Sequence, residues 1–236
     1  MEFTGEQFVP GITKKRLVDE HIERYNFANK YAKDAKILDI ACGTGYGAFE
    51  LSKISSEVIG VDISDESINF AKQNYQNKNL NFILASGTDN LFNESSFDLI
   101  CCFETIEHLT SEQRKIFLNN LHHWLKPEGV LLLSTPNKVI TSPDTVTPQN
   151  KFHVIEFTKN ELLDELKPFF LVKDSLGQRI VHRFFTVRIV RKFIFALQKI
   201  SGHNFHIYDL ANGSIISSYN KNYEPRIFFF VLKPIK

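Results

Sequence analysis

Directly after the apolar run FDLICCF the chain reads FETIEHL, which gathers Glu104, Glu107 and His108 within five residues. Side chains three and four positions apart meet on one side of a helical turn, so Glu107 and His108 can fold back beside Glu104. Two carboxylates and a neutral imidazole form a mixed oxygen and nitrogen set suited to Mg2+ or Mn2+, with positions left open for a substrate. Without a metal, the imidazole can work as a general base. Further along, in KFHVIEFT, His153 precedes a capped helix and is a fourth candidate for the same group. The competing reading is structural, with the glutamates packed and His108 a pocket wall.

An upstream group points to a ligand. In ILDIACGTGYG, Gly43, Gly45 and Gly47 fall one residue short of the G-x-G-x-x-G spacing of dinucleotide sites, and Asp39 stands at the strand end before them. A carboxylate there repels a pyrophosphate and attracts a cation. S-adenosylmethionine carries a sulfonium and an ammonium and no phosphate. Asp62, closing the stretch EVIGVD, can accept hydrogen bonds from both ribose hydroxyls. The same features disfavour a nicotinamide oxidoreductase.

Strand ends must deliver these residues. KILDIA (36–41), EVIGVD (57–62), LNFILA (80–85), FDLICCF (97–103) and GVLLLSTP (129–136) read as strands. Helices fall between them: one after the glycine turn, one capped by Ser64, and one over 111–125 opened by Thr110 with Gln113. A leading helix over 14–33 carries Leu17, Ile22, Tyr25 and Phe27 or Ala28 at roughly helical spacing. Alternating strands and helices predict right-handed βαβ units, hence a parallel sheet with helices on both faces. Thr158 with Glu161 caps a later helix, and FFLVKD (169–174) and RIFFFVLK (226–233) read as closing strands. His122 and His123 are read as surface residues, and His21, on the leading helix, as able to reach the pocket or, the stronger reading, as lying on the polar face.

Composition sets the class. The 236 residues, 43% of them hydrophobic, predict one domain: a lid helix over 1–34, a core over 35–177, a basic aromatic insertion over 178–222 and a closing strand over 223–236. Twenty-eight basic against 27 acidic residues leave a net charge of +1, which disfavours a nucleic-acid partner. Cys42, Cys101 and Cys102 lie in strand-like stretches and read as reduced core residues, which with the absence of a signal sequence predicts a cytoplasmic protein. From Ser175 through Tyr208 there is no Asp or Glu, while Arg179, Arg183, Arg188, Arg191, Lys192 and Lys199 alternate with Phe184, Phe185, Phe193 and Phe195. One reading is contact with membrane phosphates, at the inner face of the membrane, or with an anionic substrate. The other is a helix whose aromatics pack on the sheet while its arginines stay solvated.

ILDIACGTGYG, VIGVD, SFDLICCFETIEHL and LKPEGVLLLSTPN, in this order over about 36–137, resemble the successive motifs of class I S-adenosylmethionine-dependent methyltransferases. MEFTGEQFVPG and RYNFA (24–28) further resemble a bacterial subgroup associated with surface-glycan synthesis, a likeness that extends to about Gln178. The resemblance implies a Rossmann-like, seven-stranded, mostly parallel sheet with a helical insertion near the C-terminus. It places Asp39, Ala41, Gly43 and Gly45 at the methionine end of the cofactor, Asp62 at its ribose, Ile63, Ser86 and Gly87 at its adenine, and Phe103 alongside. Ser86 stands where the family usually has an acid. A similar E-x-x-E-H with a later His occurs in small-RNA 2′-O-methyltransferases and ubiquinone-pathway O-methyltransferases. That likeness implies a divalent-metal site of Glu104, Glu107, His108 and His153 chelating neighbouring hydroxyls.

The expected activity is therefore methyl transfer from S-adenosylmethionine to a hydroxyl of a sugar, with Mg2+ or Mn2+ chelating a vicinal diol, or with Glu107, His108 or His153 handling the proton. Arg24 and Tyr25 are expected to close over a small-molecule or glycan acceptor. The alternatives are a metal-free enzyme acting on an aromatic or lipid acceptor with His108 as base, an RNA methyltransferase, and a non-catalytic cofactor-binding scaffold.

Overall fold

The structure is a computed structural model that describes residues 15–202 and 213–235. The MEFTGEQFVPG motif lies outside them. The first five strands, β1 (Lys36–Ile40), β2 (Glu57–Asp62), β3 (Leu80–Leu84), β4 (Phe97–Phe103) and β5 (Leu125–Pro136), pair in parallel. β6 (Phe170–His182), β7 (Ser217–Ser218) and β8 (Tyr223–Pro234) complete one sheet in the order β3-β2-β1-β4-β5-β8-β6-β7. β8 runs antiparallel between β5 and β6. The expected α/β sheet is present with one strand more than seven among the described residues, the addition being the two-residue β7 on the edge of β6.

Helices cover both faces because the parallel strands are apolar on both sides. β4 shows why: Leu99 and Cys101 enter one core, while Ile100 and Cys102 enter the other, following the period of two along a strand. The adjacent cysteines thus point to opposite faces, and all three cysteines are free and buried. α1 (Lys15–Ala32), α2 (Tyr46–Ser52) and α3 (Asp65–Asn74) cover the first face. α4 (Ser111–Trp124) and α6 (Lys159–Leu166) cover the second, while the short α5 (Lys138–Thr141) follows β5. Local chemistry starts several of them. The Ser64 hydroxyl accepts the Ser67 N–H, and Thr110–Gln113 and Thr158–Glu161 form reciprocal capping boxes.

Two boundaries differ from expectation. β5 begins at Leu125 rather than 129, and β6 continues through His182, so the insertion spans 183–222 instead of 178–222. The polar run SLGQR hides this strand extension, because Gln178 and Arg179 are buried by pairing with α1 rather than by apolar packing. The insertion holds α7 (Arg188–Ser201), none of whose residues is buried. Its aromatics do not pack on the sheet: Phe193 and Phe195 are 65% and 69% exposed.

The inward face of α1 runs Glu20, Arg24, Tyr25, Ala28, Ala32, and shares only Tyr25 and Ala28 with the apolar spacing seen in the sequence. Gln178 clamps it: Arg24 Nε donates to Gln178 Oε1 at 2.8 Å, and Gln178 Nε2 donates to the Glu20 carbonyl at 3.2 Å. Glu20 is also ion-paired with the buried Arg179, which sits in the left-handed region at φ 52°. Removing one partner of a buried pair leaves an uncompensated charge. Glu20→Ala is expected to cost about 3 to 5 kcal/mol in denaturant unfolding; a loss below about 1 kcal/mol would show that the pair is not needed.

The glycine turn is seated on the same helix. Gly45 caps α2 at φ 84°, a conformation that strains any residue with a β-carbon. A β-carbon at Gly47 would lie 1.8 Å from the Tyr25 ring, so that ring rests directly on the turn. The Tyr25 hydroxyl donates to Asp39 at 3.1 and 3.3 Å. Burial lifts the Asp39 carboxyl to about 7, and the charge of Asp62 adds to this against hydrogen bonds from Tyr25 and the Ala48 N–H. A folded pKa above the unfolded one, near 4, means that the native state binds the extra proton. Stability from this group is complete below about pH 4 and is lost as pH rises toward 7, by roughly 4 kcal/mol at most. Asp39→Asn should match the wild type in thermal unfolding below about pH 4 and become the more stable protein near about pH 8. A stability difference that ignores pH would contradict this.

Candidate functional site

Two cavities open at the carboxyl ends of the parallel strands and share the side chain of Glu104. The first, about 350 Å³, lies across the ends of β1 to β4 and is bordered by Ala41, Asp62, Ile63, Ser86, Gly87 and His108. The second, about 400 Å³, lies under α1.

In the first cavity Asp62 organises the backbone. Its Oδ2 accepts the Gly43 N–H at 2.7 Å and its Oδ1 accepts the Ser64 N–H at 2.8 Å. Burial raises its pKa against these bonds. A carboxylate oxygen retains acceptor capacity beyond one such bond, so a diol can still be held here. Ile63, 76% exposed, offers an apolar shelf. On the far side a β-carbon at Gly87 would come 2.5 Å from the Phe117 ring, so this glycine allows the chain to lie against the aromatic. Ser86 Oγ is 2.7 Å from Thr88 Oγ1. An exposed apolar shelf beside a buried carboxylate fits a purine nucleoside. Ala41 and Glu104 close the inner rim with φ of 59° and 50°, a strained region for residues with side chains.

Four predicted cofactor residues, Asp39, Gly43, Gly45 and Phe103, are not among those that border this cavity. Asp39 is buried beneath the glycine turn, held by Tyr25. Phe103 is buried on the α1 side, its ring 5.3 Å from Tyr25 and 5.8 Å from Phe229. Tyr25, expected over the acceptor, is thus a strut under the turn. Arg24 does border the second cavity.

The second cavity holds the EHL cluster. β5 ends in two hydroxyls that grip its carboxylates: Ser134 Oγ donates to Glu104 Oε1 at 2.6 Å, and Thr135 Oγ1 donates to Glu107 Oε2 at 2.9 Å. Arg24 Nη2 stands 3.6 Å from Glu104 Oε1. The Glu107 carbonyl accepts the N–H groups of Val154 and Ile155, which draws the KFHVIEF segment onto the turn. The His108 and His153 rings meet edge to face at 5.1 Å.

Glu107, His108 and His153 therefore place ligand-capable atoms within 4.8 Å of one another. Glu104, the fourth residue expected there, is outside this group; its Oε1 accepts from Ser134 and faces Arg24. Both imidazoles have fixed tautomers. His108 Nδ1 faces the Phe152 carbonyl at 3.0 Å and His153 Nδ1 faces Glu156 Oε1 at 2.8 Å; both partners only accept, so each Nδ1 carries the proton. Burial tends to raise the Glu156 pKa, but hydrogen bonds from His153, Ser142 and Thr141 hold it below the usual carboxylate range. Burial lifts Glu107 to about 8, with the Glu104 charge adding to it.

Two buried atoms in this cavity lack a hydrogen-bond partner, Arg24 Nη1 and Glu107 Oε1. Buried polar groups are ordinarily satisfied, so two unpaired polar atoms in one cavity point to a ligand. His21 also lines the cavity, the pocket-reaching alternative rather than the polar-face one; burial and then the Arg24 charge lower its pKa to about 3. Glu156, Ser134, Thr135 and Glu20 went unrecognised in the sequence. Of these only Glu156 carried a signal, standing three residues after His153 in HVIE.

Residues 37–129 match the family model described as a methyltransferase domain. A probable S-adenosylmethionine-dependent methyltransferase of Mycolicibacterium smegmatis is 29% identical over 75% of this chain and 68% of its own length. The mitochondrial ubiquinone biosynthesis O-methyltransferase of Dictyostelium discoideum is 33% identical over 45% of this chain and 36% of its own length. Among solved structures, the PH0226 protein of Pyrococcus horikoshii superposes with a TM-score of 0.65 at 19% identity, over 95% of this chain and 94% of that one. The cavity at the ends of β1 to β4 thus lies in the stretch that matches the methyltransferase-domain model, and the chain is similar to S-adenosylmethionine-dependent methyltransferases.

Proposed function

We propose that the chain methylates a hydroxyl of a sugar, carried on a surface glycan or a nucleotide-sugar precursor. The observation that carries this reading is the unpaired couple in the acceptor cavity, Arg24 Nη1 and Glu107 Oε1. A hydroxyl both accepts and donates, so neighbouring hydroxyls of one sugar satisfy both atoms. The likeness to ubiquinone O-methyltransferases supports oxygen as the acceptor atom, and the resemblance of the RYNFA stretch supports a glycan.

When bound, S-adenosylmethionine supplies an electrophilic methyl carbon on a sulfonium that departs as a neutral thioether. The protein holds the acceptor in line with that carbon and removes its proton. Positioning of this kind lowers a barrier by as much as about 7 to 11 kcal/mol. Asp62 takes the ribose and Glu104 marks the boundary between the cavities. His153 Nε2 takes the proton, while ionised Glu156 on Nδ1 fixes the ring and stabilises the imidazolium. The Asn150 amide stands 2.9 Å from that Nε2 and yields its place to the acceptor hydroxyl.

A second reading rests on the Glu107–His108–His153 group. Both histidines have Nδ1 tied to an oxygen, the pattern that turns Nε2 toward a metal, and Glu107 Oε1 is unsatisfied. The donor set suits Mg2+ or Mn2+, and such an ion would make a coordinated hydroxyl more acidic.

A homocysteine-release screen over nucleotide sugars and glycan acceptors tests the acceptor class, and no turnover with any of them would end the sugar reading. With an acceptor in hand, His153→Ala is expected to lower kcat by about 100-fold or more while leaving S-adenosylmethionine affinity within about twofold. Mn2+ titration followed by electron paramagnetic resonance separates the two readings. Binding that disappears in Glu107→Ala supports the metal, and full turnover in EDTA leaves His153 as the base.

A further inference from the structure

We infer that α7 is a membrane-docking helix, and that it seats the acceptor edge of the sheet on an anionic lipid surface. The placement comes from topology. The insertion leaves the sheet at His182 and returns at Tyr223, which pair with each other. On the neighbouring strand Ile227 pairs with Pro136, and both border the acceptor cavity. The insertion therefore grows from the rim of that cavity. Arg191 Nη2 is 2.9 Å and Arg188 Nε 3.9 Å from Asp144, which clips α7 to the loop leading into Gln149, Asn150 and His153.

The chemistry of the helix names its partner. Ile189, Phe193 and Ile200, spaced to share one helical face, are 75%, 65% and 84% exposed. Leu197 lies along the same face, and Arg188, Lys192 and Lys199 follow its edge. The side turned to the protein is formed by the half-buried Val190, Arg191, Ile194 and Gln198. Phe184 and Val187, also exposed, extend the apolar surface before the helix begins. A lipid headgroup layer meets both needs, taking apolar side chains to the acyl boundary while its phosphates face lysine and arginine. A second copy of this face would set like charges against one another. A soluble anionic polymer would leave Ile189, Phe193 and Ile200 in water. Among the described residues no helix is long and apolar enough to cross a membrane, so the contact is interfacial.

Vesicle flotation at low ionic strength tests this with the full chain. Vesicles of phosphatidylcholine containing phosphatidylglycerol should carry the wild type, and phosphatidylcholine alone should not. Phe193→Ser with Ile200→Ser, and separately Lys192→Glu with Lys199→Glu, should each reduce the bound fraction by about tenfold or more. Because all four side chains are exposed, affinity for S-adenosylmethionine should stay unchanged by calorimetry, which reports an intact fold. No flotation with anionic vesicles, or equal flotation with neutral ones, overturns the inference. A solution dimer that the Phe193→Ser, Ile200→Ser variant converts to monomer also overturns it, assigning the face to self-association. So does binding to a soluble anionic polysaccharide that exceeds binding to vesicles.

Discussion

The acceptor cavity depends on one main-chain oxygen, the carbonyl of Glu107. It accepts the N–H groups of Val154 and Ile155 at 2.9 and 3.1 Å, using both of its lone pairs. Those bonds join the turn after β4 to the segment ahead of α6, two stretches with no shared secondary structure. The cost of ordering such a segment is large, about 1 to 2 kcal/mol per residue for the backbone alone, so a few well-placed bonds must fix it. The His108 to Phe152 contact is a third tie between the same stretches. With the segment fixed, His153 stands beside His108, and its partner Glu156 is buried behind it.

Charge burial around α1 follows the same logic from the other side. Glu20, Arg24, Gln178 and Arg179 are all buried, although burying charged groups is unfavourable unless every partner is present. Most of them satisfy one another across the α1 to β6 contact. Arg24 Nη1 and Glu107 Oε1 do not, and an unmade hydrogen bond in the interior costs about 1 to 3 kcal/mol. A helix wanted only for stability would carry leucine where α1 carries Glu20 and Arg24. This one forms a cavity wall, which is why its inward face is polar just where the cavity lies and small and apolar, Ala28 and Ala32, beyond it.

What could be read in the sequence was local. The strand–turn–helix units and the three caps at Ser64, Thr110 and Thr158 form as expected because their signals lie within a few residues. The EHL cluster was legible as a density of ionisable groups after a strand. Its partners were not, because Ser134 and Thr135 look like ordinary strand residues until β5 is laid beside β4. Tyr25 and Asp39 were picked singly, and the bond between them beneath the glycine turn was not legible. Only the missing side chain of Gly47 lets the Tyr25 ring descend onto the turn and reach Asp39. The extension of β6 was hidden for a related reason: Gln178 is buried by hydrogen bonding, which no hydropathy pattern marks.

The antiparallel strand has the widest consequence. A parallel strand returns its chain to the amino end of the sheet before starting, whereas β8 starts beside the end of β5. Any segment inserted between β6 and β8 must therefore emerge at the carboxyl edge, where the acceptor enters. The cofactor cavity is built from the turns after β1, β2, β3 and β4, none of which touches that insertion in sequence. Changes in α7 thus act on how the acceptor side meets its surroundings while the cofactor turns keep their geometry. Asp144 is where the two halves meet. Its carboxylate faces Arg188 and Arg191 of α7, and it sits on the loop that continues to His153, so the position of the helix is coupled to the histidine through one short stretch of chain.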